Sequence, residues 1–124
     1  MARFLLGTIP IIGHVSPAIP IVRELVKRGY QVCWYTGRAF QAAIEAIGAR
    51  FVPICSWTDY SDLSNISPAL MQQRETLQGA KQLKFDLKNF FIEPAQGQTK
   101  DLADILDDFP VDILLADSMF LGIS

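Results

Sequence analysis

The apolar and polar positions of this chain change period several times, and each change marks a new element. Ala2 to Ile9 is a short apolar run with one charge, suited to a strand buried on both faces of a parallel sheet. A helical period follows, with Ala18, Val22, Leu25 and Val26 recurring at helical spacing. Ser16 reads as its N-cap, Pro17 as its first helical residue, and Lys27-Arg28-Gly29 as its stop. Gln31 to Thr36 reads as a second strand, Arg38 to Ile47 as a helix ended by Gly48, and Arg50 to Ile54 as a third strand. Strands and helices alternating across short loops predict a parallel sheet with right-handed crossovers, so the expected class is α/β and Rossmann-like, with helices flanking the sheet.

Beyond the third strand the pattern loosens. Ser56 to Asn65 is rich in Ser, Asp, Asn and aromatic residues without a period and reads as a long loop, a kind of segment that is often functional in a compact domain. Helical patterns resume from about Pro68 to Phe91 and from Glu93 to Asp108, and Val111 to Ala116 is a further buried strand that ends at Asp117. Residues from Ser118 onward look like the opening turn of another helix, so 1–124 is expected to be one unit and the first portion of a longer protein. Internal repeats and low-complexity tracts are absent from the sequence.

Composition narrows the classes of partner. The 124 residues are 50% hydrophobic, enough to bury a single core. Eleven Lys and Arg stand against thirteen Asp and Glu with no basic run, which argues against nucleic acid. The apolar stretch Phe4 to Ile12 is broken by Gly7 and Pro10, lacks a small-residue cleavage site, and is shorter than the roughly 20 residues that span a bilayer, so a soluble, cytoplasmic protein is expected. Cys33 and Cys55 lie in apolar surroundings without metal-ligand spacing and read as buried reduced thiols. Asp101, Asp104, Asp107 and Asp108 read as a solvated helix face, and no metal is expected.

The candidate chemistry centres on the only histidine. His14 lies in Gly13-His14-Val15-Ser16-Pro17, just past the carboxyl end of the first strand, where open α/β sheets bind ligands. Histidine is the side chain that ordinarily changes charge near neutral pH, which suits it to act as a general base. Gly13 and the helix start permit close approach of a ligand phosphate or simply end the turn. Gly7 and Gly13 do not make the GxGxxG fingerprint, which argues against a nicotinamide or flavin cofactor. Trp57, Tyr60, Met71, Phe85, Phe90 and Phe91 are either core or the lining of an apolar pocket.

The run Ile9-Pro10-Ile11-Ile12-Gly13-His14-Val15-Ser16-Pro17, continued by Arg23-Glu24-Leu25-Val26-Lys27-Arg28-Gly29-Tyr30-Gln31-Val32, resembles the start of GT-B nucleotide-sugar glycosyltransferases, notably the UDP-glycosyltransferase family with its macrolide and sterol members. Gly48-Ala49-Arg50-Phe51-Val52-Pro53 and Val111-Asp112-Ile113-Leu114-Leu115-Ala116-Asp117 extend the likeness, while Cys55 to Phe109 aligns with nothing recognisable. Ser16 stands where many relatives carry Asn, and Tyr30 where His is frequent.

The resemblance implies an N-terminal, acceptor-side domain whose nucleotide-sugar domain lies elsewhere in the protein. It implies an inverting transfer of a sugar from a nucleotide diphosphate sugar, with UDP as the expected carrier, to a hydroxyl of a small lipophilic acceptor, without a metal or other cofactor. His14 would be the base and Asp117 its orienting carboxylate, with Gly13, Ser16 and the six pocket candidates around the substrate. Asp117 also fits a simple helix N-cap, and both roles are compatible. Two alternatives remain: a sugar-nucleotide epimerase or hydrolase on the same scaffold, and a non-catalytic module binding lipophilic ligands.

Overall fold

The computed structural model describes residues 2–120 and 122. Four parallel strands, β1 (Arg3–Gly7), β2 (Gln31–Thr36), β3 (Arg50–Pro53) and β4 (Ile113–Ala116), form one sheet in the order β3-β2-β1-β4. The α/β, Rossmann-like class expected from the pattern is the observed one. The chain steps outward from β1 to β2 and β3, then returns to place β4 on the other side of β1. The strand order therefore reverses between β1 and β4, and the crevice at the carboxyl ends of those two strands is the topological switch point.

Alternation along the strands divides the interior into two cores. Leu5, Cys33 and Tyr35 point to one face, where Ile9, Leu102 and Phe120 join them. Leu6, Val32 and Trp34 point to the other and pack with Val15, Val22 and Ile44. The second face is covered by α2 (Ile19–Lys27) and α3 (Gln41–Ala46), and the first by α6 (Ala95–Asp108) with the long loop after β3. Trp34 is wholly buried, and its indole N–H donates to Thr8 Oγ1 at 3.0 Å, so the large ring costs no unpaired donor.

Several local expectations are corrected. The helix after β1 starts earlier than the pattern suggests: α1 (Ile12–Val15) already has helical backbone, and a 3₁₀ turn (Ser16–Ala18) joins it to α2. The Ser16 amide donates to the Ile12 carbonyl, so Ser16 sits inside a helical run and does not cap it. Gly13 is consequently helical, without a positive φ and without a neighbour pressing on its α-carbon. The single helix expected from Pro68 to Phe91 is two, α4 (Pro68–Glu75) and α5 (Ala80–Asp86), the latter running into a π-helical turn (Leu87–Ile92). Gly79, at φ 57, makes the break, a conformation that side chains with a Cβ rarely adopt. Cys55 is exposed, and only Cys33 is buried, where desolvation pushes its thiol up to about 11. The expected helical turn from Ser118 falls partly outside the described residues, and no helix is assigned between Ser118 and Phe120.

Candidate active site

The sheet register builds the site. Gly7 of β1 lies beside Ala116 of β4, so the segments leaving the two strands run next to one another. The Asp117 amide donates to the Gly7 carbonyl at 3.3 Å. The carboxylate of Asp117 then folds over the end of β1: Oδ2 accepts from the Ile9 amide at 2.7 Å, and Oδ1 accepts from the Met119 amide at 2.8 Å. His14 approaches from α1, with Nδ1 at 3.4 Å from Asp117 Oδ1. The two side chains are 28% and 16% exposed, so the pair is sheltered yet open to solvent on one side. The separation lies outside the range of about 2.6 to 3.2 Å for a hydrogen bond, so the two groups are in close contact without being bonded. Asp117 bonds the Met119 amide two residues on in a turn, with no helix assigned there for it to cap, and it faces His14.

Two cavities border the turn that carries His14. The smaller, about 300 Å³, lies on the α2 side of the sheet and includes His14, Thr8, Pro17 and Asp117 in its walls. The larger, about 590 Å³, is walled by Ile11 and Ile12 of the same turn, by Phe40, and by the long loop, α4 and the π-helical turn. Its volume suits a drug-sized ligand, and its lining is chiefly apolar. Among the six aromatic and Met candidates, Tyr60, Met71, Phe90 and Phe91 line it. Trp57 and Phe85 do not: Phe85 is buried, and Trp57 stacks edge-on behind Tyr60. Gly13 and Ser16 line neither cavity.

Tyr60 ties the larger cavity to the switch point. Burial, and then the negative charge of Asp117, raise its phenol above the ordinary value, so it stays neutral and its O–H donates a hydrogen bond to the Phe90 carbonyl at 2.7 Å. Behind it stands a network that sequence reasoning missed. Asp101, expected on a solvated face, is 4% exposed. Its Oδ2 accepts from Tyr35 Oη at 2.5 Å, the Cys55 amide at 2.9 Å and the Ser56 amide at 3.0 Å. Trp57 Nε1 donates to Tyr35 Oη at 2.6 Å. Burial alone would raise the Asp101 carboxyl, but the donors from Ser56, Tyr35 and Cys55 outweigh it and hold it below the usual range. The start of the long loop is thereby fastened to α6, and the loop supplies a wall of the cavity. Arg74 and Asp86, also missed, are the charged residues of that wall. Among the described residues no group of three or more His, Cys, Asp or Glu gathers as a metal site, and no helix is long and apolar enough to cross a membrane.

A parallel sheet with a histidine and a carboxylate straddling its switch point, beside an apolar cavity, defines a Rossmann-like architecture with a candidate ligand site. No family model matches the chain. It is 39% identical over 121 residues to 4'-demethylrebeccamycin synthase of Lentzea aerocolonigenes, covering 98% of this chain and 28% of that protein. It is also 30% identical to UDP-glucosyltransferase B1 of Starmerella bombicola, over 92% of this chain and 27% of that one. Among solved structures the fold matches CalG4, the calicheamicin glycosyltransferase, with a TM-score of 0.69 at 20% identity, covering 98% of this chain and 28% of the other. It also matches the spinosyn rhamnosyltransferase SpnG, with a TM-score of 0.63 at 17% identity, covering 97% and 30%. The chain belongs to the GT-B UDP-glycosyltransferase family, and it spans about 28% of the length of the first of these relatives.

Proposed function

We propose that this chain is the N-terminal, acceptor-side domain of a cytoplasmic, inverting glycosyltransferase that moves a sugar from a nucleotide diphosphate sugar, UDP-linked, to a hydroxyl of a small lipophilic acceptor. The observation that carries the reading is the His14–Asp117 pair at the switch point, with Nδ1 and Oδ1 3.4 Å apart. A hydroxyl is a poor nucleophile until its proton is drawn off. With Nδ1 turned to the carboxylate, Nε2 is the nitrogen left to accept that proton. As it does so, the acceptor oxygen forms a bond to the anomeric carbon, the bond to the nucleotide diphosphate breaks, and the diphosphate leaves with the electron pair. Asp117 holds the ring orientation and offsets the positive charge that develops on it, the part a carboxylate plays beside histidine in hydrolytic triads.

The acceptor body belongs in the 590 Å³ cavity, where Tyr60, Met71, Phe90 and Phe91 offer apolar contact. The remaining length of the relatives leaves ample chain for a separate domain to hold the nucleotide sugar. The test is nucleoside diphosphate release by the whole enzyme from a panel of nucleotide sugars, with and without hydroxylated aromatic or lipid acceptors. Release that needs an acceptor and falls by about 10² to 10⁴ in His14→Ala is expected, the usual size of general-base catalysis. Release without acceptor would instead identify an epimerase or hydrolase, and acceptor binding with no release a non-catalytic module.

A further inference from the structure

The larger cavity contains one feature that its apolar lining does not explain. Arg74 of α4 and Asp86 at the end of α5 form a two-pronged ion pair in its wall, Nε to Oδ1 at 2.7 Å and Nη2 to Oδ2 at 2.9 Å. The side chains remain 33% and 24% exposed, so neither is sealed behind the apolar residues. The fork occupies two of the guanidinium's N–H groups and one lone pair of each carboxylate oxygen. The second N–H of Nη2, both N–H groups of Nη1 and the remaining lone pairs of Asp86 are left unspent, with no net charge.

We propose that Arg74 and Asp86 are specificity-determining residues for the acceptor. They favour a molecule whose apolar body ends in a neutral group that both donates and accepts hydrogen bonds, such as an amide or hydroxyl, and they turn away acceptors ending in a carboxylate or an ammonium. The proposal rests on the larger cavity being the acceptor site. A neutral amide pairs its oxygen with Arg74 and its N–H with Asp86. A carboxylate meeting the same pair gains one partner but is repelled by the other, and the water it loses on entering an apolar cavity is not replaced. An ammonium has the same difficulty with the charges exchanged. Discrimination here comes as much from the repulsive member as from the attractive one.

The test is calorimetric binding to the whole enzyme of four probes on one ring system: 2-naphthol, 6-hydroxy-2-naphthamide, 6-hydroxy-2-naphthoate and 6-(aminomethyl)-2-naphthol. The wild type is expected to bind the naphthamide at least tenfold more tightly than the naphthoate or the amine. D86N, which leaves Arg74 without its counter-charge, should bind the naphthoate at least tenfold more tightly than the wild type does. R74Q should do the same for the amine. Circular dichroism checks the fold of each, and the two variants read the proposal independently. If 2-naphthol binds and the order of the charged probes is the same in wild type and variants, the pair is a structural link between α4 and α5 and the proposal is overturned. If no probe binds, the reading of the cavity as an acceptor site falls, and this proposal with it.

Discussion

Asp117 serves three neighbours with two oxygens, and this sharing sets what its replacement should do. Asn in its place offers a single acceptor oxygen, so either the Ile9 or the Met119 amide loses its partner, at about 1 kcal/mol. In the proposed mechanism the larger effect falls on catalysis, because an amide would not offset the charge of a protonated ring: kcat of the whole enzyme with Asp117→Asn should drop by about 10² to 10⁴. Measuring kcat beside thermal stability separates the two losses, and an unchanged kcat would remove Asp117 from the mechanism. Asp101 makes the opposite prediction, large in stability and without direct chemistry. Its carboxyl is lowered in the folded state, so the stability it gives is complete above the ordinary carboxylate pKa and is lost as pH falls through the lowered value. Asp101→Ala should cost about 3 kcal/mol at pH 7, since the buried Tyr35 hydroxyl and two loop amides lose their acceptor. Urea unfolding of variant and wild type should converge as the pH is taken below 4. His14 and Asp117 were legible because each follows the end of a recognisable strand. Asp101 was not, because Asp101, Asp104 and Asp107 share one helical spacing, and only the position of Tyr35 across the interface distinguishes the first.

At the level of elements, the strands announced themselves and the helix boundaries did not. Buried parallel strands are nearly continuous apolar runs, and β2 was legible to its ends. The start of α1 carries no capping residue: Ile11 is its N-cap without a side-chain bond, so Ser16 and Pro17, with better signals, drew the boundary five residues too late. The break at Thr76–Gly79 escaped because helical spacing resumes on both sides of it. Reading one helix there also hid the meeting of Arg74 with Asp86, twelve positions on. Gly97 in α6 is a sharper case of tertiary context overriding propensity. Alanine there would gain about 1 kcal/mol of helix propensity. A Cβ on Gly97, however, would lie 2.5 Å from the Ser56 carbonyl oxygen and 2.9 Å from Trp57 Cβ, where the loop crosses the helix. Forcing the loop away also strains the Asp101 bonds to Cys55 and Ser56. Gly97→Ala should therefore destabilise, by about 1 to 3 kcal/mol as for overpacked sites. A raised melting temperature would show that the loop yields more freely than its hydrogen bonds suggest.

Across the whole molecule, the two faces of the sheet differ in how they are closed. The face under α2 and α3 is covered by short, regular connections, whereas the other depends on a long loop, two short helices and a π-helical turn held by Asp101, Tyr60 and a ladder of edge-on aromatic rings. The larger cavity opens among these irregular parts and meets the regular part at Ile11, Ile12 and Phe40. A ligand filling it would bridge the two, so binding should stabilise the whole domain as well as quiet the loop. At a free concentration one hundred times its dissociation constant, 6-hydroxy-2-naphthamide should add about 2.7 kcal/mol to the unfolding free energy and raise the melting temperature by about 10 °C. Hydrogen exchange should slow about 100-fold in β1 and β2, whose amides open with global unfolding, and between residues 56 and 92 wherever the local opening releases the ligand. Protection confined to β1 and α1 instead would move the ligand to the smaller cavity beside His14. The acceptor site would then have to be sought there, on the α2 side of the sheet.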